Sequence, residues 1–522
     1  MAARRDELNA YTFARKRTVG AFLQPGGGGN DEDAPRPVRA VVPSLVLAAV
    51  IMAGFGIWGM IKPSAPQGWD SGSNIILGKD STTRYVILPG TNGAKVLHPV
   101  LNMASAKLVL PVDSKVVLVA DSVLDNYGTH GPTIGIPYAP DKLPSAADAG
   151  TTKKWSVCVR PGADAAHPNQ AVFVAAGADA ATLARPDRVL SGAQSLYVQA
   201  IDQNGVEGTR YLIDPQGRKH EVGTAGMSDV DQRALRSGLF GSAQPERVTG
   251  QWLDTLPKGT AITFPEVPGL TQAKTPSSVQ LSDPAERFVG RLVTFGDSDY
   301  VVGTDRLYQV SAFQAVLMSQ RPMLQNTYDG KSPTIDPITP SDNANFSQQQ
   351  AAGGPLAAVA DWPQAKPLTA PANAGSAQSG RQVVCSTFDG MNGSTVQQSV
   401  WAGTDFPASF TVGSTSAHVS PGHGLFYRAM DASSEGSGSD YLITETGLRY
   451  SVPATSEGTD ATASASPSPS PSAGAAQPQV NEAQARLGYK DTVPVLVPKQ
   501  WSDLVPAGPA LNTKTATQAQ NS

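Results

Sequence analysis

Apolar positions along the chain fall into three regimes. One is an uninterrupted run over residues 41–61, 21 positions without a charge. Coiled at about 1.5 Å per residue it would measure about 31 Å, close to the hydrocarbon thickness of a bilayer. Arg39 and Lys62 bracket the run, and Trp58 lies near one end, where an indole favours the interface. Pro43 falls in the first turn, where a missing N–H costs little. A cleaved signal peptide and a buried core helix are the alternatives. A signal peptide's apolar region is usually shorter and ends in small residues, whereas this run ends in Trp58, Met60 and Ile61. The pattern predicts a retained transmembrane helix over 40–62.

The second regime precedes it. Residues 4–23 read as a basic amphipathic helix, with Leu8, Tyr11, Val19 and Phe22 near helical spacing and a cationic patch at Arg15 to Arg17. Arg4, Arg5, Tyr11, Phe13, Arg15 and Arg17 are its candidate membrane- or partner-facing residues; a solvated tail is the alternative. Gly26 to Gly29 and the charged stretch 31–37 read as a linker, so 1–39 forms one segment. This segment is net positive in a chain of net charge −4. Positive charge beside a first span keeps that side cytoplasmic, leaving 63–522 outside.

Beyond Pro63 the third regime begins: short apolar runs broken by turn residues. Four begin alike, Arg84-Tyr85-Val86-Ile87, Arg210-Tyr211-Leu212-Ile213, Asp299-Tyr300-Val301-Val302 and Asp440-Tyr441-Leu442-Ile443. Each passes through a polar turn to a second strand ending in Val100, Val222, Val310 or Val452, the pattern of a β-hairpin. Helix-like stretches follow at 101–110, 229–236, 312–320 and 482–487. A larger repeat encloses the small one. Lys154-Trp155-Ser156-Val157-Cys158 parallels Arg381-Gln382-Val383-Val384-Cys385, and Gln251-Trp252 parallels Gln500-Trp501. Both Trp segments run to a proline and then, two residues on, a glycine. The landmarks Tyr85, Tyr211, Tyr300, Tyr441, Trp252 and Trp501 keep one order in both halves, so the large domain reads as a duplication.

The fold class expected is therefore a single-pass membrane protein with a large extracytoplasmic α+β domain. Half A covers about 70–275 and half B about 286–512, with four hairpin repeats around a β-rich core and pseudo-twofold symmetry. Cys158 and Cys385 are the only cysteines and occupy equivalent positions. Equivalents near a twofold axis approach each other, so a disulfide between the halves is expected; two buried thiols are the alternative. Residues 325–380 read as a connector, 461–479 as a Ser-Pro-rich low-complexity insertion, and 512–522 as a polar tail.

Candidate chemistry is sparse. Gly330-Lys331-Ser332 approaches a phosphate-binding loop, but Gln325 stands where its first glycine belongs. No Ser lies in a G-x-S-x-G elbow. His418 and His423 flank Ser420-Pro421-Gly422 without a carboxylate at metal spacing, and His98 reads as packing at the start of a helix. No catalytic, cofactor-binding or metal-binding residue is assigned, and no cofactor is expected. The net negative domain shows no basic stripe interleaved with aromatics, so nucleic acid is disfavoured as a partner.

The N-terminal pattern Arg4-Arg5-Asp6-Glu7-Leu8-Asn9-Ala10-Tyr11-x-Phe13-x-Arg15-x-Arg17 before one span carries a family resemblance. So do Leu97-His98-Pro99-Val100-Leu101-Asn102-Met103, Gly135-Ile136-Pro137-x-Ala139-Pro140-Asp141 and Trp155-x-x-Cys158. Together they resemble EccB, a membrane subunit of the actinobacterial type VII (ESX) secretion system. The resemblance is dense up to about residue 160 and looser beyond. It implies a scaffolding, multimerising subunit of the secretion channel in the plasma (inner) membrane. It also implies partners: EccC, EccD and EccE, with the mycosin protease nearby, and further copies of the chain. Family members are often labelled ATPases, a label no Walker motif here supports. An ATPase and a cell-wall-binding module are the alternative functions.

Overall fold

The computed structural model describes residues 4–23, 38–61, 65–90, 93–162, 167–350, 356, 359–369, 373, 382–393, 395–409, 417–430, 438–454 and 481–520, without side chains at 38–40, 56–61, 346–350 and 369. The insertion expected at 461–479 and the glycine linker lie outside the described residues. The chain divides into two compact units. One comprises Met1–Trp69, Ile76–Thr82 and Val117–Gly128; the other comprises Asp70–Ile75, Thr83–Val116 and Thr129–Ser522.

In the first unit, the helix Arg4–Leu23 carries Asp6 and Glu7 in its first turn, where carboxylates meet the positive end of the helix dipole. Its amphipathic reading needs correction. Leu8, Tyr11, Val19 and Phe22 share one side, but at about 100° per residue Arg4 and Arg15 fall on that side too and Phe13 falls opposite. Cations and apolar groups are mixed, and none of its residues is buried. The helix Val38–Ile61 follows, 24 residues long with Pro43 inside. Its described side chains, 41–55, are all exposed and cover only about 22 Å of axis. Among the described residues no helix is long and apolar enough to cross a membrane. The same unit closes on Asp121, which accepts the Asp80 N–H at 2.7 Å and the Ser81 hydroxyl. These bonds, that from Ser81 first, hold its carboxyl below the usual carboxylate range.

The second unit is built on a five-stranded sheet. Its centre is an antiparallel pair, Lys154–Arg160 and Val383–Asn392, flanked by Asn169–Ala175 and Thr395–Gly403, with Ala417–Val419 at one edge. Three sheets lying wholly in this unit share one four-stranded design, to which Leu368–Thr369 adds a fifth strand in the second repeat, parallel to Gln194–Ile201. In each, a first strand pairs with the Tyr-led strand, the Tyr-led strand pairs with a third, and after a helix a fourth strand returns parallel to the first. The first strands are Gln194–Ile201, Leu292–Phe295 and Leu425–Met430; the returning ones are Glu246–Thr249, Ile335–Pro337 and Val495–Pro498. The hairpin reading therefore found the middle of each sheet and missed its first and last strands. The remaining repeat contributes the hairpin Arg84–Pro89 with Lys95–Val100 and the helix Met103–Val109, which Asn102 caps by accepting the Ser105 N–H.

Burial explains why several of these strands show no alternation. In the second and fourth repeats both faces are covered, so apolar residues run consecutively. Leu196, Val198 and Ile213, with Leu425, Tyr427 and Ile443, join Trp155, Val157, Val384 and Phe388 of the central sheet in one core. The intervening residues point the other way. Phe426 and Leu442 meet Ala104 and Leu108 of the first repeat's helix. Tyr197 and Leu212 meet Leu235 and Leu239 of their own helix, Asp229–Phe240, and Phe313 and Leu317 of the third repeat's helix, Ala312–Ser319. The expectation of four repeats around the core is corrected accordingly. Among the described residues only the second and fourth pack on the central sheet; the third packs on the second, and the first on the fourth.

Two further segments differ from their sequence reading. The 325–380 connector supplies buried pegs: Leu356 packs with Val301 and Val310, and Trp362 with Phe313 and Leu239. Asn373 accepts the Tyr197 N–H at 2.8 Å and donates to the Tyr197 and Gln244 carbonyls. The 512–522 tail is also tied in. Asn512 caps the short helix Thr513–Ala516, whose Ala516 is buried, and the Gln520 N–H donates to the Thr133 carbonyl. Each segment is too polar on average to announce itself, yet carries one or two anchors.

Candidate functional site

The matched cysteine and tryptophan residues singled out from the sequence lie at joints between structural modules. At the centre, Cys158 and Cys385 are direct partners in the antiparallel register and are joined by a disulfide, with Cα atoms 4.0 Å apart. Strand alternation sends them to the face opposite the main core, where Phe173, Leu183 and Trp401 cover them completely. Neighbours on the same two strands seal the polar positions: the Ser156 hydroxyl lies 3.1 Å from the Thr387 hydroxyl, and the Thr255 hydroxyl 2.8 Å from that of Ser386.

The two Gln-Trp segments occupy matching places. Trp252 lies in the helix Gly250–Asp254 and Trp501 in Lys499–Ser502, each following a returning strand, and both indoles are fully buried in the main core. Their polar atoms differ. Trp252 Nε1 donates to the Val157 carbonyl of the central sheet at 3.0 Å, while Trp501 Nε1 is buried without a hydrogen bond among the described residues.

The landmark tyrosines do not form one group. Tyr211 and Tyr441 pack against the main core, Tyr441 stacking on Tyr427 with ring centroids 5.6 Å apart. Tyr300 is buried with Val279 and Leu281, and Tyr85 is half-buried in the first repeat. Tyr427, missed in the sequence, is more deeply placed than any of them. Its hydroxyl lies 2.9 Å from Ser502 Oγ, and burial pushes the phenol far above its usual range.

A second recurring joint explains the proline-x-glycine pattern after each Trp. The residue opposite the one after the landmark Tyr is His98, His220 or Tyr450 in the first, second and fourth repeats. In these three, a glycine N–H donates to the carbonyl of the preceding residue: Gly131 to Leu97 at 2.9 Å, Gly259 to Lys219 at 2.9 Å and Gly508 to Arg449 at 2.7 Å. The ring then lies on the glycine. A Cβ there would stand 2.1 Å from His98, 2.4 Å from His220 or 2.5 Å from Tyr450. Only glycine allows a strand edge and a ring to share that space. His98 thus sits in a strand, with Nδ1 donating to the Pro132 carbonyl at 3.0 Å, and does not start a helix.

His418 and His423 also find carboxylates that sequence spacing could not show. His418 Nε2 lies 3.3 Å from Asp179, which also accepts from Ser420 Oγ at 2.6 Å. His423 Nδ1 lies 2.7 Å from Asp148, whose other partners are the Gly424 N–H and the Lys153 ammonium. Against the cost of its burial, these partners hold the Asp148 carboxyl below its usual range. They fasten the turn that leads into the fourth repeat. Lys331 is exposed on a turn, its N–H donating to the Tyr328 carbonyl. Arg4, Arg5, Tyr11, Phe13, Arg15 and Arg17 are exposed along the N-terminal helix. Two open polar clefts, of about 370 and 400 Å³, are lined in part by Arg210 with Arg236 and by Arg160 with Asp405, and none of the landmark tyrosines, tryptophans or cysteines lines either.

The chain is similar to ESX-5 secretion system ATPase EccB5 of Mycobacterium marinum, with 30% identity over 266 residues, 51% of this chain and 48% of that protein. It is similar to ESX-3 secretion system ATPase EccB3 of Mycolicibacterium smegmatis, with 27% identity over 442 residues, 80% of this chain and 76% of that protein. The chain spans about half the length of the first of these relatives. Its fold resembles a chain of an intact ESX-5 inner membrane complex, with a TM-score of 0.57 at 21% identity over 100% of this chain and 96% of that one. It also resembles the EccB3 dimer from the ESX-3 core complex, with a TM-score of 0.55 at 21% identity over 85% of this chain and 100% of that one. The family model "Type VII secretion system ESX-1, transport TM domain B" matches residues 1–522, and the chain belongs to this EccB family of the type VII secretion system.

Proposed function

We propose that this protein is a structural subunit of a type VII secretion complex in the inner membrane. In this reading the helix Val38–Ile61, about 36 Å long over its 24 residues, is the anchor. The helix Arg4–Leu23 lies on the cytoplasmic side, and residues 63–522 stand outside as two duplicated halves related by a pseudo-twofold axis. EccC, EccD, EccE and further copies of the chain are its partners, with the mycosin protease close by. The observation that carries the reading is the fold match over the whole chain to a component of an intact ESX-5 inner membrane complex. A central sheet stapled by a disulfide and gripped by two repeats supports it, because such a body can transmit force without rearranging. The word ATPase in the relatives' names is not carried over, since Lys331 stands on an exposed turn without a phosphate-binding loop.

Affinity purification of the full chain in mild detergent tests the assignment. Co-purification of the other membrane subunits is the expected result, and a chain recovered alone from intact membranes would overturn it. Labelling with a membrane-impermeant maleimide separately tests the orientation: a cysteine placed at Ala10 should stay protected in spheroplasts, and one placed at Gly192 should react.

A further inference from the structure

The second repeat ends in a buried charged corner that its counterpart in the fourth repeat replaces with neutral groups. The His220 side chain is wholly buried, with Nδ1 donating to the Thr260 carbonyl at 2.9 Å. Its Nε2 faces Asp214 Oδ2 at 3.6 Å and has no hydrogen-bond partner among the described residues. Asp214 is itself buried and accepts the Arg218 N–H through its other oxygen at 2.8 Å. On the far side, the Thr260 N–H donates to Asp361 Oδ2 at 2.7 Å, so one residue links the imidazole to that carboxylate. In the fourth repeat the register position of His220 is Tyr450 and that of Asp214 is Thr444. There the Tyr450 hydroxyl lies 3.2 Å from the Thr446 hydroxyl, which lies 3.0 Å from Thr444.

Asp361 belongs to the stretch 359–369, which with Leu356 and Asn373 straps the third repeat to the second. Leu356 enters the third repeat's core and its N–H donates to the Gln309 carbonyl at 2.8 Å. Trp362 packs edge-on against Phe313 of the third repeat, with ring centroids 5.8 Å apart, and against Leu239 of the second. Asn373 fixes the other end to Tyr197.

We propose that His220, with Asp214 and Asp361, forms a proton-operated latch that holds this strap across the second and third repeats. The imidazolium offers its positive charge to both carboxylates. When it loses its Nε2 proton, Asp214 is left buried without a cationic neighbour on that side, and the hold on Asp361 through Thr260 weakens. Release of the strap would uncover the Trp362 and Phe313 surface between the two repeats. The other charged groups at the corner come from two elements. Lys219 is turned away, donating to the Leu253 carbonyl at 2.6 Å and lying 3.9 Å from Asp254, and Lys258 acts on Lys219 as a like charge.

Burial by itself would lower the His220 pKa, but the Asp214 contact, the Thr260 carbonyl and the charge of Asp361 outweigh it and hold the imidazolium above its ordinary range. The direction of the switch follows. Stability linked to this proton is fully present below about pH 6.5, the free imidazole's value, and is lost as pH rises through the higher folded value. Asp361 is held below the usual carboxylate range, mainly by the Thr260 N–H, so its charge persists well into acid. The latch is therefore closed in mild acid and opens toward alkaline pH.

Hydrogen–deuterium exchange on the full chain in detergent tests this, with rates corrected for intrinsic pH dependence and compared between about pH 5.5 and about pH 8.5. Peptides spanning Trp362 should lose several-fold protection across that range, while the central strand Val383–Asn392 stays constant. The double variant His220→Tyr with Asp214→Thr transplants the fourth repeat's neutral pair and should abolish the pH dependence. A strap whose protection is flat with pH in the wild type, or pH dependence that survives in the double variant, overturns the proposal. If the double variant loses central-strand protection, Asp361→Asn decides. It should weaken strap protection at the acidic end and hardly change it at the alkaline end, and an equal loss at both overturns the latch.

Discussion

A methyl group added at Gly259 tests the ring-on-glycine joint directly. An alanine Cβ there would lie 2.4 Å from His220 Cε1 and 2.5 Å from Nδ1, well inside contact distance. Neither partner can yield easily: the imidazole is fully buried and tied to Thr260, and the glycine N–H is bonded to the Lys219 carbonyl. Gly508 under Tyr450 is equally confined, since that ring is also buried. Gly131 under His98 differs, because that ring is only half-buried and can swing toward solvent. None of the three glycines has a left-handed φ, so backbone strain does not enter. Overpacking a confined site costs about 1–3 kcal/mol. We expect about 2–3 kcal/mol for Gly259→Ala and Gly508→Ala, and about 1 kcal/mol or less for Gly131→Ala. Urea unfolding followed by the fluorescence of the buried tryptophans would measure all three. If Gly131→Ala is as costly as Gly259→Ala, or if Gly259→Ala is neutral, the joint does not work through ring confinement.

Reducing the Cys158–Cys385 bridge, which closes a loop of 227 residues, should lower stability by about 5 kcal/mol on the loop-entropy estimate; an unchanged guanidinium midpoint in reductant would contradict it. Trp252→Phe removes a hydrogen bond to Val157 and Trp501→Phe removes none among described residues, so the first should cost about 1 kcal/mol more in paired unfolding curves. Burial drives the Glu286 carboxyl up to about 7 although the Arg291 guanidinium lies 3.3 Å away. A folded value above the free one means this group favours folding in acid, an advantage lost as pH rises through about 7. Glu286→Gln should therefore flatten stability between pH 5 and pH 8 relative to wild type; an unchanged slope would show that Arg291 keeps the carboxylate charged throughout.

Periodicity and self-similarity make much of this fold legible in the amino-acid sequence. The helix Glu482–Leu487, with its asparagine cap and its Gly488 in a left-handed conformation, coincides with the stretch read from sequence. The Tyr-led strands and their partners were readable because β-branched runs and turn residues act locally. What stayed hidden were the first strand of each sheet and the anchors inside polar segments. Leu356, Trp362 and Asn373 look like isolated residues in a Pro- and Ala-rich stretch, and only their distant partners give them meaning.

The amino-acid sequence by itself determined the apolar run at 41–61, the basic segment before it, four similar hairpins and two matched cysteine and tryptophan positions, because each is a pattern among near neighbours. Tertiary structure alone decided that just two of the repeats rest on the central sheet. It alone showed why a glycine follows the proline of each Trp segment, and that aspartates from remote segments face His418 and His423. Those outcomes depend on which faces meet across hundreds of residues, and a side chain's charge state, confinement and partners are set there by burial and distance.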